Sequence, residues 1–283
     1  MAQNFLKPIT ACFGKPVAEN PTQVMIEAAY RQIGVDWRYI TLEVDPNDLP
    51  AAVAGARAMG FRGFNCTIPH KVAVIDHLDG LGESAKVMQA VNCVVRRGGE
   101  LIGENTDGKG FVEGVKKLRD PKGKNVVLLG AGGAARAIAV ELALSGAAKI
   151  TLVNRTPQRG EETKALLDEN LDVATELVLW DETYSIPEGT DFLINATSIG
   201  LYPDVDAQLA IDYDTLNAGT FVSDVVFNPP ETHLIRTAKE RGCEVLDGLE
   251  MLVGQGVIGV EYWTGQTPEP QIMREALEEV FRA

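Results

Sequence analysis

Apolar positions in the first part of the chain fall into short runs separated by amphipathic stretches and turn residues. Runs rich in β-branched and aromatic residues predict strands, and stretches closed by Gly34 and Gly60 predict helices. The predicted strands are 9–14, 37–44, 63–68, 91–96 and 100–104, and the predicted helices are 21–34 and 48–59. Gly98-Gly99 between the last two strands indicates a hairpin at the edge of this α/β unit.

The rest of the chain has a more regular alternation of strands and helices. We predict helices at 108–118, 249–263 and 270–282, and strands at 125–130, 149–154, 175–180, 191–196, 221–227 and 243–246. The strands 125–130, 191–196 and 221–227 are continuous apolar runs, typical of parallel strands covered on both faces. We therefore expect an α/β protein with a domain change near Asp107 and another near Gly248, after which the chain returns to the first domain.

The composition is that of a soluble globular protein and narrows the range of partners. The chain has 283 residues, 45% apolar and 23% charged, which excludes disordered and fibrous classes. With 26 basic and 40 acidic residues its formal charge is −14, which argues against nucleic acid and anionic membranes as partners. No apolar run reaches the ~18 residues of a membrane-spanning helix, and residues 1–7 lack a secretory pattern. We expect a cytoplasmic protein.

Cysteine and histidine spacing gives no sign of a metal centre. The cysteines Cys12, Cys66, Cys93 and Cys243 are scattered without a CxxC pair, and the three histidines show no metal-ligand spacing with them. Reduced, buried thiols are therefore expected, with neither a disulfide framework nor a zinc site.

A glycine-rich turn lies between a predicted strand and a predicted helix. The residues Gly130, Ala131, Gly132, Gly133, Ala134 and Ala135 fit G-x-G-x-x-A directly after strand 125–130. The first glycine permits the tight turn, the second lets the backbone approach a pyrophosphate, and the small third residue allows close helix–strand packing. The helix N-terminus supplies N–H donors to the anion. The turn therefore predicts dinucleotide binding; the alternative is a turn without a ligand.

The end of the next strand bears on the choice between NADP and NAD. NAD sites usually place a carboxylate there, whereas this chain has Asn154, Arg155 and Thr156, with Arg159 one turn further. Arg155 can stack on the adenine and pair with a 2′-phosphate, and Arg159 can add a second positive charge. We favour NADP, with NAD as the alternative cofactor; two ordinary surface arginines are the competing interpretation. Thr197, after strand 191–196, completes the predicted cofactor-contacting set.

Two residues are candidates for proton transfer. Lys71 follows Pro69, which suits the first turn of a helix, so the positive end of the helix dipole would lower the lysine pKa. Asp107 opens a later helix, where it could hydrogen-bond a substrate hydroxyl and hold Lys71 in position. Taken singly, an exposed helix-start lysine and an N-cap aspartate would be ordinary.

These two residues belong to a set of segments, and with that set the chain resembles the shikimate dehydrogenase family. The matching segments occur in the family's order and span nearly the whole chain: Gly60 to Lys71, Ala90-Val91-Asn92, Asn105-Thr106-Asp107-Gly108, Gly130 to Arg136, Asn154-Arg155-Thr156 and Asp247 to Gln255.

The resemblance implies a substrate domain at 1–107 completed by helices at 248–283, a Rossmann-like NADP domain at 108–247, and a cleft binding site between them. It implies reversible NADP-linked oxidation of a cyclic polyhydroxy carboxylate such as shikimate or quinate, and a place in aromatic amino acid biosynthesis. Lys71 is then the acid/base and Asp107 its partner. Asn65, Thr67, Asn92 and Gln255 line the substrate site. A monomer or a homodimer is expected, and no metal.

Three departures from the family pattern fall on the substrate pocket. Members that make shikimate carry Ser-x-Ser after the first strand, where both hydroxyls hold the carboxylate; Asn20 and Thr22 stand here, beside Glu19. The usual His-Asn of the first helix is Ile26-Glu27. Phe227 replaces a Tyr that reaches the substrate, although it could also be a core aromatic. We therefore expect retained catalysis with an altered substrate preference.

Two other functions remain open at this point. One is a catalytically weak or silent relative that binds NADP and a small acid to regulate another process; the intact Lys71 and Asp107 count against it. The other is a different NADP enzyme with the same two-domain plan, such as a methylene-tetrahydrofolate dehydrogenase, which the Asn-Thr-Asp-Gly segment disfavours. Thr22 keeps quinate among the possible substrates.

Overall fold

The computed structural model describes residues 5–282, with side chains up to residue 281. Residues 1–4, which are part of the stretch 1–7 inspected for a secretory pattern, and residue 283 therefore lie outside the described residues. The chain divides into two compact units. The first contains the residues up to Thr106 and those from Gln255 onward, and the second is Asp107–Gly254.

The first unit is built on a mixed six-stranded sheet in the order β2-β1-β3-β5-β6-β4. Strand β1 is parallel to β2 and β3, and β5 is antiparallel to β3 and β6. Its elements are β1 (Ile9–Gly14), α1 (Thr22–Gln32), β2 (Arg38–Glu43), α2 (Leu49–Ala58), β3 (Gly63–Cys66), α3 (His70–Ala73), β4 (Gly80–Leu81), α4 (Glu83–Met88), β5 (Cys93–Arg97) and β6 (Glu100–Glu104), with 3-10 helices at Pro46–Asp48 and Val74–His77.

The predicted hairpin joins β5 to β6. Gly98 and Gly99 have φ of 58° and 97°, the left-handed conformations that a two-residue turn requires. The sequence pattern predicts this hairpin at the edge of the sheet, and that position is wrong. The two-residue strand β4 pairs with β6 and forms the edge instead. A strand that short leaves no periodic pattern to detect.

The second unit is a parallel sheet in the order β14-β13-β11-β7-β8-β9. Its elements are α5 (Asp107–Lys116), β7 (Asn125–Leu129), α6 (Gly133–Leu144), β8 (Lys149–Asn154), α7 (Pro157–Asn170), β9 (Ala174–Leu179), β10 (Tyr184–Ser185), β11 (Phe192–Asn195), β12 (Ile211–Asp212), β13 (Phe221–Asp224), α8 (His233–Glu240), β14 (Glu244–Leu246) and the start of α9 (Gly248–Thr264), with a 3-10 helix at Tyr213–Thr215; α10 (Pro270–Arg282) belongs to the first unit.

Read from β9 to β14, this is the doubly wound order of dinucleotide-binding folds, with the reversal between β7 and β11. Every residue of β11 and β13 is buried, as are all but the first of β7, which confirms the prediction of strands covered on both faces. Ligands of such sheets bind outside the carboxyl ends of the strands at the reversal. The glycine-rich turn follows β7 at that point.

Besides the short strands β10 and β12 and the 3-10 helix, which the sequence does not predict, a strand end and a helix of the second unit differ from the prediction. Strand β13 ends at Asp224 rather than at residue 227, because the Asp224 carboxylate accepts the Val226 N–H at 3.0 Å and turns the chain. Helix α8 was not predicted; Thr232 caps it by accepting the Ile235 N–H at 3.3 Å. Among residues 5–282, no helix is long and apolar enough to span a membrane.

Candidate active site

The glycine-rich turn has the geometry that a pyrophosphate requires. Gly130 has φ of 107°, and a Cβ there would lie 3.0 Å from the carbonyl oxygen of Ala196 and 3.1 Å from Thr197 Cγ2. Gly132 is the N-cap residue of α6, and within the described chain no side chain caps the first N–H groups of this helix. A Cβ at Gly132 or Gly133 would meet no described atom within 4 Å. The turn thus offers open space and N–H donors, which fits an anionic cofactor.

The remaining fingerprint residues support this turn by packing. Ala131 and Ala135 are buried, at 7% and 0% exposure, and Ala134 is half-buried. The buried Ala135 allows α6 to lie close to the sheet, as the fingerprint requires.

The basic residues proposed for the 2′-phosphate follow β8. Asn154 ends that strand, and its side-chain amide donates to the Thr156 carbonyl at 2.7 Å, which shapes the turn. Thr156 is the N-cap residue of α7. Arg155 and Arg159 are exposed near the start of this helix. They are available to a charged ligand beside the carboxyl edge of the sheet.

The ends of β11 and β13 share a buried hydrogen-bond network that the sequence pattern does not predict. The Asn195 amide donates to Asp224 at 2.9 Å, and Asn195 Oδ1 accepts from the N–H and hydroxyl of Thr197 at 3.0 and 2.7 Å. The Thr232 hydroxyl donates to Asp224 at 2.7 Å. Burial raises the Asp224 pKa to about 6, although the Val226, Thr232 and Asn195 hydrogen bonds act to lower it.

This network fixes two segments that carry candidate ligand contacts. One is the segment of Thr197, beside Gly130, and the other follows Asp224 and carries the half-buried Phe227. A carboxylate at the end of an apolar strand, as in Phe221–Asp224, is the signal that could have located it.

Lys71 lies just beyond the carboxyl end of β3. It is the second residue of the one-turn helix α3, and Pro69 is the N-cap residue. The prediction that Pro69 lies in the first turn is therefore wrong, because Pro69 precedes that turn. One turn sums few peptide dipoles, and the dipole argument for Lys71 is correspondingly weak. The Lys71 carbonyl accepts the Val91 N–H at 2.7 Å. Burial raises the Cys12 pKa to about 11, while the Tyr39 hydrogen bond and the charge of Lys71 act to lower it.

Asp107 is the first residue of α5, at the helix start that the sequence predicts. Its side chain is half-buried. The residue before it is held firmly. Asn92 Oδ1 accepts the Thr106 N–H at 2.7 Å, and the Asn92 amide donates to the Thr106 hydroxyl at 3.0 Å. Asn92 and Thr106 are buried, at 3% and 0% exposure. Asn92 therefore fixes the point at which the chain passes into α5.

Asn65 and Thr67 lie at the end of β3, beside Asn92. The Asn65 side chain is 7% exposed and has partners at both ends: its oxygen accepts the Tyr39 hydroxyl at 2.7 Å, and its amide donates to the Asn92 carbonyl at 3.0 Å. The Thr67 N–H donates to the Phe13 carbonyl at 2.9 Å, and its half-buried side chain remains partly accessible. The first unit therefore groups Asn65, Thr67 and Asn92 at neighbouring strand ends.

The two residues in the serine positions lie at the start of α1. Asn20 Oδ1 accepts the Thr22 N–H at 2.9 Å, so its amide nitrogen is the end left to donate to a ligand. Thr22 is 6% exposed and is the first residue of the helix.

Gln255, on α9, is also 6% exposed. Among the described residues, no group of three or more His, Cys, Asp or Glu could hold a metal ion.

Comparison with known proteins agrees with this architecture. Residues 12–94 match the shikimate dehydrogenase substrate binding domain, residues 113–202 match shikimate / quinate 5-dehydrogenase, and residues 248–278 match the shikimate 5′-dehydrogenase C-terminal domain. A shikimate dehydrogenase (NADP(+)) of Shouchella clausii is 40% identical over 95% of this chain and 96% of its own. The chain belongs to the shikimate dehydrogenase family.

Two solved structures of the family are similar over nearly the whole chain. The ligand-free 5-ketofructose reductase of Gluconobacter sp. strain CHM43 is 51% identical, with a TM-score of 0.95 and coverage of 98% of this chain and 100% of that one. Shikimate 5-dehydrogenase from Thermus thermophilus, in complex with NADP(H) and shikimate, is 33% identical, with a TM-score of 0.81 and coverage of 96% and 99%.

Membership of the family sets the reaction class. The chain is an NADP-dependent oxidoreductase of the shikimate/quinate dehydrogenase type, and it exchanges a hydride reversibly between the nicotinamide and the hydroxyl carbon of a cyclic hydroxy acid. Its substrate is a small molecule. None of the relatives named here is a silent regulatory protein.

Proposed function

We propose that, among possible substrates for this NADP-linked hydride transfer, the chain acts best on an uncharged polyhydroxy ketone of the 5-ketofructose kind and only weakly on cyclic hydroxy acids such as shikimate. The observation that carries the proposal is the 51% identity to a 5-ketofructose reductase, against 40% and 33% for the two shikimate dehydrogenases named above. The favoured direction is then reduction of a ketone by NADPH.

The pocket residues support this preference chemically. A carboxylate is bound most strongly by several short hydrogen bonds, and the Ser-x-Ser segment of the family supplies two hydroxyl donors for them. Here the Asn20 side-chain oxygen accepts the Thr22 N–H, and the Asn20 amide nitrogen is the group that can donate to a ligand. An amide N–H donates equally well to a hydroxyl or a carbonyl oxygen. The exposed Glu19 beside it repels an anion but not a sugar. Phe227 has no hydroxyl for the substrate.

The residue roles follow from the chemistry of a ketone reduction. NADPH, when bound, supplies the hydride. Lys71 donates a proton to the forming alkoxide and stabilises its charge until the proton is transferred. Asp107 accepts a hydrogen bond from a substrate hydroxyl, and Asn65, Thr67, Asn92 and Gln255 orient the remaining hydroxyls. Residues 1–107 with 248–283 bind the substrate and residues 108–247 bind the cofactor.

The setting of this activity is part of the proposal. All four cysteines are buried thiols outside any disulfide, which is typical of proteins in a reducing compartment and supports a cytoplasmic location. The protein acts as a monomer or a homodimer.

A substrate comparison tests the proposal directly. With NADPH we expect kcat/KM for 5-ketofructose to exceed that for 3-dehydroshikimate by at least about 10², because two poorly made hydrogen bonds to a charged group cost about 1.5–3 kcal/mol each. Initial rates are followed through the absorbance of NADPH, with shikimate and quinate oxidation measured in the reverse direction. The Shouchella clausii relative is assayed in parallel and should show the opposite preference. Equal or greater efficiency on 3-dehydroshikimate would refute the proposal.

Cofactor choice is tested separately at Arg155. Arg155→Asp should raise KM for NADP at least about tenfold and leave KM for NAD nearly unchanged, because it replaces the partner of a 2′-phosphate by a repelling carboxylate. Arg236→Asp makes the same charge change on an exposed residue of α8 and serves as the control. If both variants change the two cofactors alike, Arg155 is an ordinary surface residue.

A further inference from the structure

A chain of buried hydrogen bonds in the first unit begins at Tyr39 on β2 and ends next to Asp107. The Tyr39 hydroxyl donates to Asn65 at 2.7 Å, the Asn65 amide donates to the Asn92 carbonyl at 3.0 Å, and Asn92 binds Thr106 through its side chain. Every side chain in it is at most 7% exposed. Solvent therefore cannot replace a bond that is lost.

The sheet register explains how Tyr39 reaches Asn65 across an intervening strand. Tyr39 pairs with Thr10 of β1, Cys12 lies two residues further along β1, and Cys12 pairs with Asn65 of β3. Paired residues of parallel strands and residues two apart point to the same face, so Tyr39 and Asn65 share one face of the sheet. The long phenol side chain spans β1 and brings its hydroxyl to the amide.

The bond fixes the orientation of the Asn65 amide. The Asn92 carbonyl can only accept, so it holds the nitrogen end, and the Tyr39 hydroxyl holds the oxygen end. Burial raises the Tyr39 pKa well above its usual value, so the phenol stays neutral and keeps its proton to donate. Without this donor, Asn65 would lose the partner of its oxygen and the constraint that points its second N–H.

We propose that Tyr39 is a positioning residue for the reaction: its hydroxyl orients Asn65 toward the substrate and, through Asn92, steadies Thr106 at the end of this part of the first unit. The proposal rests on the substrate-site roles given to Asn65 and Asn92 under the proposed function. Tyr39 itself is fully buried, so it is argued to act through Asn65.

The chain offers a matched control in Tyr30. Tyr30 is 2% exposed, and its hydroxyl shares a 2.7 Å hydrogen bond with Thr10. Burial raises its pKa as well. Tyr30→Phe therefore removes the same group from the same kind of environment, but from a bond that does not include Asn65 or Asn92.

Steady-state kinetics of the two Phe variants test the proposal. Tyr39→Phe should lower kcat/KM for the ketone about tenfold, mostly in kcat, with KM for NADPH within about twofold of wild type. Tyr30→Phe should lower the melting temperature to a similar extent but leave kcat/KM within about twofold. Equal kinetic losses in both variants, or none in Tyr39→Phe, would overturn the proposal.

A second measurement does not depend on the substrate. Amide hydrogen exchange at Thr106 should be about tenfold faster in Tyr39→Phe than in wild type and unchanged in Tyr30→Phe. Unaltered exchange in Tyr39→Phe contradicts the proposal. A wild type inactive on every compound would refute the proposed function, and the exchange result would still decide the role of Tyr39.

Discussion

Replacing Lys71 by alanine is expected to lower kcat by about 10²–10⁴, with little change in KM for NADPH. The substitution removes the group proposed to give a proton to the alkoxide and to stabilise its charge as it forms. It removes neither the glycine-rich turn nor the residues after β8, which belong to the other unit. The measurement is steady-state reduction at saturating NADPH, with a thermal melt to confirm that the variant is folded.

Lys71→Arg separates the two contributions of the lysine. Arginine keeps the positive charge but does not release its proton near neutral pH. A loss close to that of alanine would show that proton transfer dominates, and a small loss would assign most of the effect to charge. Lys86→Ala, on the exposed side of α4, controls for the loss of a lysine. Turnover of Lys71→Ala within a factor of about three of wild type would contradict the assignment.

Much of the fold could be predicted because its signals are local. The strands β7, β11 and β13 are buried on both faces and are therefore visible as apolar runs. The turn at Gly130 requires a glycine, because its φ is positive and a Cβ would lie too close to the Ala196 carbonyl oxygen. Elements with short or interrupted patterns were out of reach. The two-residue strands β4, β10 and β12 are defined by their partners rather than by their own residues.

The candidate site residues that belong to family motifs could be proposed from the sequence, whereas contacts that depend on tertiary structure could not. The motifs include Lys71, Asp107 and the glycine-rich turn. Tyr39 lies 26 residues from Asn65 in sequence, and only the register of β2, β1 and β3 brings the two together. The apolar run 221–227 predicts a strand that continues past Asp224, because the sequence does not show that the Asp224 carboxylate ends the strand.

The pocket changes predict a reciprocal shift in substrate preference. The triple change Asn20→Ser, Thr22→Ser and Phe227→Tyr should raise kcat/KM for shikimate at least about tenfold and lower it for 5-ketofructose. It restores the two hydroxyls and the phenol that the family pattern provides for the substrate, and each well-made hydrogen bond to a charged group contributes about 1.5–3 kcal/mol. Most of the gain should appear in KM if these contacts are equally strong in the ground and transition states.

The single variants of this set distinguish restored contacts from a general loosening of the pocket. Thr22→Ser keeps a hydroxyl at a buried helix start, so alone it should change shikimate kcat/KM least. Asn20→Ser exchanges the amide for a hydroxyl and should act more strongly in combination with Thr22→Ser than alone, because two donors must meet one carboxylate. The measurement is shikimate oxidation at saturating NADP+, with a melt of each variant. Efficient wild-type turnover of shikimate that the triple change does not improve would show that the three substitutions are neutral, and the preference would then have to come from other residues.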